Sequence, residues 1–219
     1  METIVTDPLN YYDDEYFHES IFYVWERGES RGDSVTPATF NTSYQQFMLR
    51  MITQALPKNG KIFSIGCGNA TIEHQLKNRD FHVTAIDPHP IAVKIAAGKG
   101  IKVSNKSFSE INANDLQGAD MIFADGVLGH LFEDDRNLTK FIEFLQPFRN
   151  RILLCSNDSP KTGTDFCRHP KVNGFWHLSV AYLAKIFSVA GFEILYADYF
   201  EYQRPLSGDW RRSIIMCKI

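Results

Sequence analysis

The residues with the clearest chemistry are Gly66 and Gly68, in Ser64-Ile65-Gly66-Cys67-Gly68-Asn69-Ala70-Thr71, and Asp87 beyond them. Two closely spaced glycines let a backbone turn tightly and approach a ligand at the end of a strand. An acid at the end of the next strand, about twenty residues on, accepts hydrogen bonds from both hydroxyls of a ribose. In that order the two features point to a nucleoside ligand. A dinucleotide site wants G-x-G-x-x-G, and the third glycine position here is Thr71, which disfavours close passage of a pyrophosphate. No G-x-x-x-x-G-K-[ST] phosphate loop occurs.

Further along, Asp125 and His130 follow a fourth strand-like run, and each is a candidate base. The competing readings are a turn or N-cap acid for Asp125 and a capping or packed ring for His130. Asn157, in Ser156-Asn157-Asp158-Ser159-Pro160, could orient a polar substrate, although ordinary turn chemistry accounts for that string. Arg204, Arg211 and Arg212 flank the last turn and would suit a carboxylate, against the simpler reading of solvated hairpin charge. Cys167, His169 and His177 are too loosely spaced for a zinc site, and no metal is expected. Arg31-Gly32-Asp33 reads as a polar loop, and the serines show no nucleophile-elbow spacing.

The elements that must position these groups begin after Pro57-Lys58-Asn59-Gly60, a turn signal. Before it lies an aromatic-rich segment with one or two short amphipathic helices. Thr36 then reads as an N-cap with Pro37 at the first helical position, opening one helix that runs through Phe40, Tyr44, Met48 and Ile52 to Ala55. After the turn, strands and helices alternate. Strands are expected at 61–67, 82–87, 101–104, 120–125 and 151–156, and helices at 71–78, 90–97, 137–148 and 179–190. Two final strands, 193–202 and 212–219, form a hairpin through Pro205-Leu206-Ser207-Gly208-Asp209. The expected fold class is α/β, a doubly wound, mostly parallel sheet with helices on both faces. Residues 1–57 are read as a helical lid and 58–219 as the ligand-binding domain.

With 219 residues, ordinary apolar content and a net charge of −3, the chain is one α/β domain with a modest extension. It lacks the basic footprint of a nucleic-acid binder. No apolar run is long enough to span a bilayer and no signal-peptide pattern opens the chain. The four cysteines fall in no disulfide framework, so a cytoplasmic protein with reduced thiols is expected, without nucleic-acid or membrane partners.

These residues resemble the class I S-adenosylmethionine (SAM)-dependent methyltransferase family over 58–219. Ile65-Gly66-Cys67-Gly68-Asn69 is similar to its glycine motif, Asp87 to its ribose-binding acid, and Phe123-Ala124-Asp125-Gly126-Val127-Leu128-Gly129-His130-Leu131 to its fourth-strand motif. The resemblance implies a seven-stranded Rossmann-type sheet with its last strand antiparallel. It also implies SAM as cofactor, a small-molecule substrate, and a monomer or homodimer. The implied cofactor-binding residues are Ser64, Gly66, Cys67, Gly68, Asp87, Ser107, Phe108, Asp125 and Tyr44. The implied catalytic candidates are His130, Asp125, Asn157 and Tyr12. The chain departs from the family at Ser64, where an acid often contacts the methionine end of the cofactor, so that contact must come from other groups. Tyr11, Tyr12, Trp25 and Tyr44 are candidates to face the sulfonium.

Three readings follow. The first is a small-molecule methyltransferase. The second keeps SAM but uses its aminobutyrate portion, as azetidine-2-carboxylate synthases do, and releases methylthioadenosine. The third is a non-catalytic SAM-binding subunit. A nicotinamide-dependent oxidoreductase is disfavoured by Thr71.

Overall fold

The computed structural model describes residues 13–14, 19–132, 136–170, 172 and 174–219. A short ladder of β1 (Asp13–Asp14) and β2 (Glu19–Ser20) leads into α1 (Ile21–Glu26), where the Ser20 side chain caps the helix by accepting from the Phe22 N–H. The helix expected from Thr36 to Ala55 is two helices, α2 (Pro37–Phe40) and α3 (Thr42–Ala55). Asn41 separates them: its backbone is extended and its side chain accepts from the Tyr44 N–H at 2.9 Å, capping α3. Thr36 makes no side-chain cap; its hydroxyl instead accepts from Arg212 Nη1 at 2.9 Å.

The alternating remainder builds β3 (Lys61–Ile65), α4 (Thr71–Lys77), β4 (His82–Asp87), α5 (Pro90–Gly98), β5 (Lys102–Asn105), β6 (Met121–Asp125), α6 (Leu128–Leu131), α7 (Thr139–Leu145), β7 (Ile152–Asp158), β8 (Phe166–Arg168), β9 (Trp176–Leu178), α8 (Val180–Val189), β10 (Glu193–Arg204) and β11 (Gly208–Lys218). Seven of the strands form one sheet in the order β10-β11-β7-β6-β3-β4-β5. Its neighbours pair in parallel except β11, which runs antiparallel to both β7 and β10. From β3 the chain steps outward through β4 to β5, then crosses back to β6 on the other side. That reversal opens a crevice at the carboxyl ends of β3 and β6, where open α/β sheets bind ligands.

Side chains alternate across the sheet with period two. Ile62, Met121, Phe123, Leu154 and Ile214 face α3 and α4, packing with Tyr44, Met48, Ile52 and Leu76. Phe63, Ile65, Ile122, Ala124 and Leu153 face the opposite layer, packing with Phe141, Leu145, Leu183 and Phe187 from α7 and α8. Both faces of the central strands are therefore buried, which is why they read as near-continuous apolar runs.

The terminal hairpin is longer than its apolar pattern indicated. Pairing continues to Arg204↔Gly208, so Trp210 and Arg211 lie in a strand rather than a loop. The sequence also gave no sign of α6 or of the β8–β9 ladder, which are short and held by their surroundings. No helix among the described residues is long and apolar enough to cross a membrane.

Candidate functional site

The glycine loop leaves β3 with Gly66 at φ 70° and Gly68 at φ 54°, both in the left-handed region that favours glycine. At Gly66 a Cβ would also come within 2.9 Å of Val127 Cγ2. The turn is tied to the neighbouring strand, because the Gly66 and Cys67 N–H groups both donate to the Ile86 carbonyl, at 2.9 and 3.2 Å. Beside it, Asp87 closes β4. One carboxylate oxygen accepts from the Gly68 N–H and the other from the His89 N–H, each at 2.8 Å. Burial raises the Asp87 carboxyl and the two backbone bonds oppose that rise. A carboxylate has about four acceptor sites, so lone pairs remain for a ligand.

Ser64 sits on β3 facing α4, fully buried, and its hydroxyl donates to Glu73 Oε1 at 2.6 Å. Glu73 lines the cavity that the crevice forms, while Ser64 does not. Burial raises the Glu73 carboxyl to about 7, against the bond from Ser64. Among the described residues no lysine or arginine pairs with it. The nearby Lys99 is committed elsewhere, donating at 2.6 Å to both Glu26 and the Asn69 carbonyl. That clasp also pins α1 onto the glycine loop. Phe22 lies over Gly68 and against His89, with ring centroids 4.8 Å apart, and Trp25 holds the Ser34 carbonyl through its indole N–H at 2.8 Å.

At the carboxyl ends of β6 and β7 a buried polar network gathers around two acids. Asp125 Oδ1 accepts from Tyr44 Oη at 2.8 Å, from Ser156 Oγ, and lies 3.3 Å from Arg212 Nη2. Asp125 Oδ2 is buried with no hydrogen-bond partner among the described residues. Asp158 accepts from Arg204 at 2.6 Å and from Tyr202 Oη at 3.1 Å, with Arg212 Nε 3.9 Å away. Burial would raise the Asp158 carboxyl, but the two guanidinium groups hold it below the usual carboxylate range. Arg204 and Arg212 are thus buried partners of a network and not solvated hairpin charge. Arg211 alone stays near the surface, over the Tyr199 ring at 4.3 Å. Gly126, at φ 79°, follows Asp125 in the left-handed region that favours glycine, and a Cβ there would press on the Arg212 guanidinium.

The cavity has a volume of about 340 Å³. It brings together Gly66, Cys67, Gly68, Asp87, Ser107, Phe108, Asp125 and His130 from the sequence-based set, along with Trp25, Arg204 and Arg212. Ser107 starts a capped 3-10 turn with Glu110, and Phe108 packs on Phe141 and Phe144. His130 lies on α6 against Phe175, ring centroids 4.6 Å apart, and burial lowers it to about 4. Three candidates stand behind the wall. Tyr44 hydrogen-bonds to Asp125 and Ser156, and Ser64 to Glu73. Asn157 is engaged by the Gly129 N–H at 2.7 Å and the Trp176 carbonyl at 2.8 Å, a structural clasp between β7, α6 and β9. Tyr12, like Tyr11, lies outside the described residues.

Sequence reading missed Glu73; it offered Arg204 and Arg212 to a ligand carboxylate, and the carboxylates they meet are the chain's own Asp158 and Asp125. A signal existed for Glu73: it stands three residues before Leu76 on α4, on the apolar stripe, where an acid is out of place.

No family model matches the chain. Among solved structures it is similar to magnesium protoporphyrin IX methyltransferase from Synechocystis PCC 6803 with bound S-adenosylhomocysteine (SAH). That match has TM-score 0.65 and 17% identity, covering 97% of this chain and 99% of that one. It is similar also to 1,6-didemethyltoxoflavin-N1-methyltransferase from Burkholderia thailandensis, at TM-score 0.62 and 14% identity, covering 100% and 92%. Among curated proteins it is 35% identical over 204 residues to the tabtoxin biosynthesis enzyme of Pseudomonas amygdali pv. tabaci, covering 91% of this chain and 81% of the relative. With the fold of the class I SAM-dependent methyltransferases, this chain belongs to the family of the tabtoxin biosynthesis enzyme.

Proposed function

We propose that the cavity binds SAM and that the chain is a SAM-dependent transferase, a methyltransferase acting on a small molecule. The observation that carries this reading is Asp87, a buried carboxylate at a strand end, braced by the Gly68 and His89 N–H groups beside a glycine turn. That arrangement suits two ribose hydroxyls. The rest of the cavity fits the same ligand: a buried acid without a cationic partner at Glu73, and the aromatic faces of Phe22 and Trp25 for a cation. Bound there, SAM supplies an electrophilic carbon on its sulfonium, either the methyl for an acceptor or the γ-carbon for attack by an amine.

The chain's own groups exclude water, hold the ligand and accept protons. Within the 1–57 segment, α1 acts as a cap over the glycine loop of the 58–219 domain, while α3 packs on the face of its sheet. Asp125, on the cavity wall, is the candidate acceptor for an N–H or O–H of the substrate. His130, at about 4, is neutral at neutral pH and is a weak base. The names of the tabtoxin relative and the toxoflavin neighbour support a small specialised metabolite as substrate. We also assign the protein to the cytoplasm, as a monomer or homodimer, in keeping with four cysteines that form no disulfide.

A second reading is favoured by the size of the cavity. At about 340 Å³ it is at the low end of the range for a single ligand, about 300–1,000 Å³, which favours a reaction confined to SAM itself. The products would be methylthioadenosine and a four-carbon amino acid such as azetidine-2-carboxylate. Incubation with SAM alone, read by mass spectrometry, separates the two. SAH formed only when a metabolite extract is added supports methyl transfer. Methylthioadenosine formed above the spontaneous background from SAM alone supports the second reading. Neither product under either condition, with no SAM binding, rejects both.

A further inference from the structure

The methionine end of SAM carries an α-ammonium, and the acid that the family often places on the first strand is replaced here by Ser64. We propose that Glu73, braced by the Ser64 hydroxyl, supplies the counter-charge for that ammonium from α4 instead of from the strand. The inference rests on SAM being the ligand and adds the residue that recognises its amino-acid end.

The geometry is specific. Ser64 stands at the strand position of the family's acid but behind the cavity wall, and its hydroxyl donates at 2.6 Å to Oε1 of Glu73, which itself lines the cavity. Glu73 is only 4% exposed. A buried carboxylate without a cation is unfavourable, so it either keeps its proton or meets a cationic ligand. The ionisable groups that face it are Asp125 from β6, Cys67 from the glycine loop and Lys99 from beyond α5. From α3, Tyr44 reaches Asp125 and not Glu73. Lys99 is held by Glu26 and Asn69, so the cation is left for the ligand to bring. The carboxyl is raised to about 7 without a ligand, so an ammonium that needs it ionised binds in competition with a proton. Affinity should therefore rise with pH towards about 7 and level off above it.

The test compares three ligands by calorimetry. SAM and SAH both carry the ammonium, SAH lacks the sulfonium charge, and methylthioadenosine lacks the whole amino-acid end. Glu73→Gln should weaken SAM and SAH alike by about 10- to 100-fold, the range for one charge-assisted hydrogen bond, and leave methylthioadenosine unchanged. Ser64→Ala should give a smaller loss in the same pattern. Wild-type protein should bind SAH more weakly at pH 6 than at pH 8, and Glu73→Gln should lose that dependence. Without ligand, Glu73→Gln should melt above wild type at pH 8, because it removes an unpaired buried charge. Unchanged SAH affinity in Glu73→Gln overturns the inference. So does a loss confined to SAM, which would place the carboxylate on the sulfonium, and so does an equal loss for methylthioadenosine. Failure of wild type to bind any of the three rejects the SAM reading itself.

Discussion

At the scale of single residues, the site is decided by what each carboxylate has around it. Asp87 keeps both oxygens occupied by backbone N–H groups and still has lone pairs for a ligand. Removing it with Asp87→Ala should lower affinity for SAH or methylthioadenosine by at least about 10-fold, since a bond to a charged group contributes about 1.5–3 kcal/mol. The Gly68 and His89 donors would lose their acceptor, costing about 1–3 kcal/mol of stability, which a domain with about 5–15 kcal/mol in hand survives. Calorimetry and a thermal melt on the same sample read both effects, and unchanged nucleoside affinity would remove Asp87 from the ribose role. Glu73 shows the limits of motif reading. The departure at Ser64 is visible in the sequence, but that a helix residue fills the gap depends on a hydroxyl-to-carboxylate distance.

At the scale of elements, the hairpin of β10 and β11 does more than complete the sheet. Its buried strand ends bring Arg204 and Arg212 to Asp158 and Asp125. Its tip is held by the front loop, where Asp33 Oδ1 accepts from the Leu206 and Ser207 N–H groups at 2.9 and 3.2 Å. Arg31-Gly32-Asp33 therefore works as a strap between the front segment and the hairpin. Asp33→Ala should free those two amides, accelerating their hydrogen exchange by about 10-fold or more while leaving global stability within about 1 kcal/mol. Unaltered exchange at Leu206 and Ser207 would show that the tip is held by other contacts. The helix break at Asn41 belongs to the same scale. Helical spacing continues across 36–55, so periodicity alone favours one helix. A side-chain cap on the Tyr44 N–H, with Thr36 drawn away to Arg212, makes it two.

At the scale of the whole molecule, ligand binding and folding are linked through the crevice, because α1, the glycine loop, β6 and the hairpin all contribute walls to one cavity. A ligand that binds only the folded chain adds about 2.7 kcal/mol at 100 times its dissociation constant. For a chain of this length SAH at that ratio should raise the melting temperature by roughly 5–10 °C, measured by scanning fluorimetry or calorimetry. No shift at saturating SAH would contradict the cofactor reading. The sequence by itself determined the alternating strands and helices, the parallel sheet with its reversed last strand, the glycine loop and Asp87. These follow from local rules: period-two and helical apolar spacing, and turns that only glycine makes easily. The tertiary structure alone decided which charges meet. Tyr44 is 81 residues from Asp125 along the chain, and Arg204 is 46 from Asp158. The first pairing depends on α3 packing against the sheet and the second on β11 slotting between β7 and β10, long-range arrangements that no local pattern encodes. Whether an arginine is solvated or buried, and whether an acid titrates near 4 or near 7, is set by the dielectric and partners that this packing creates.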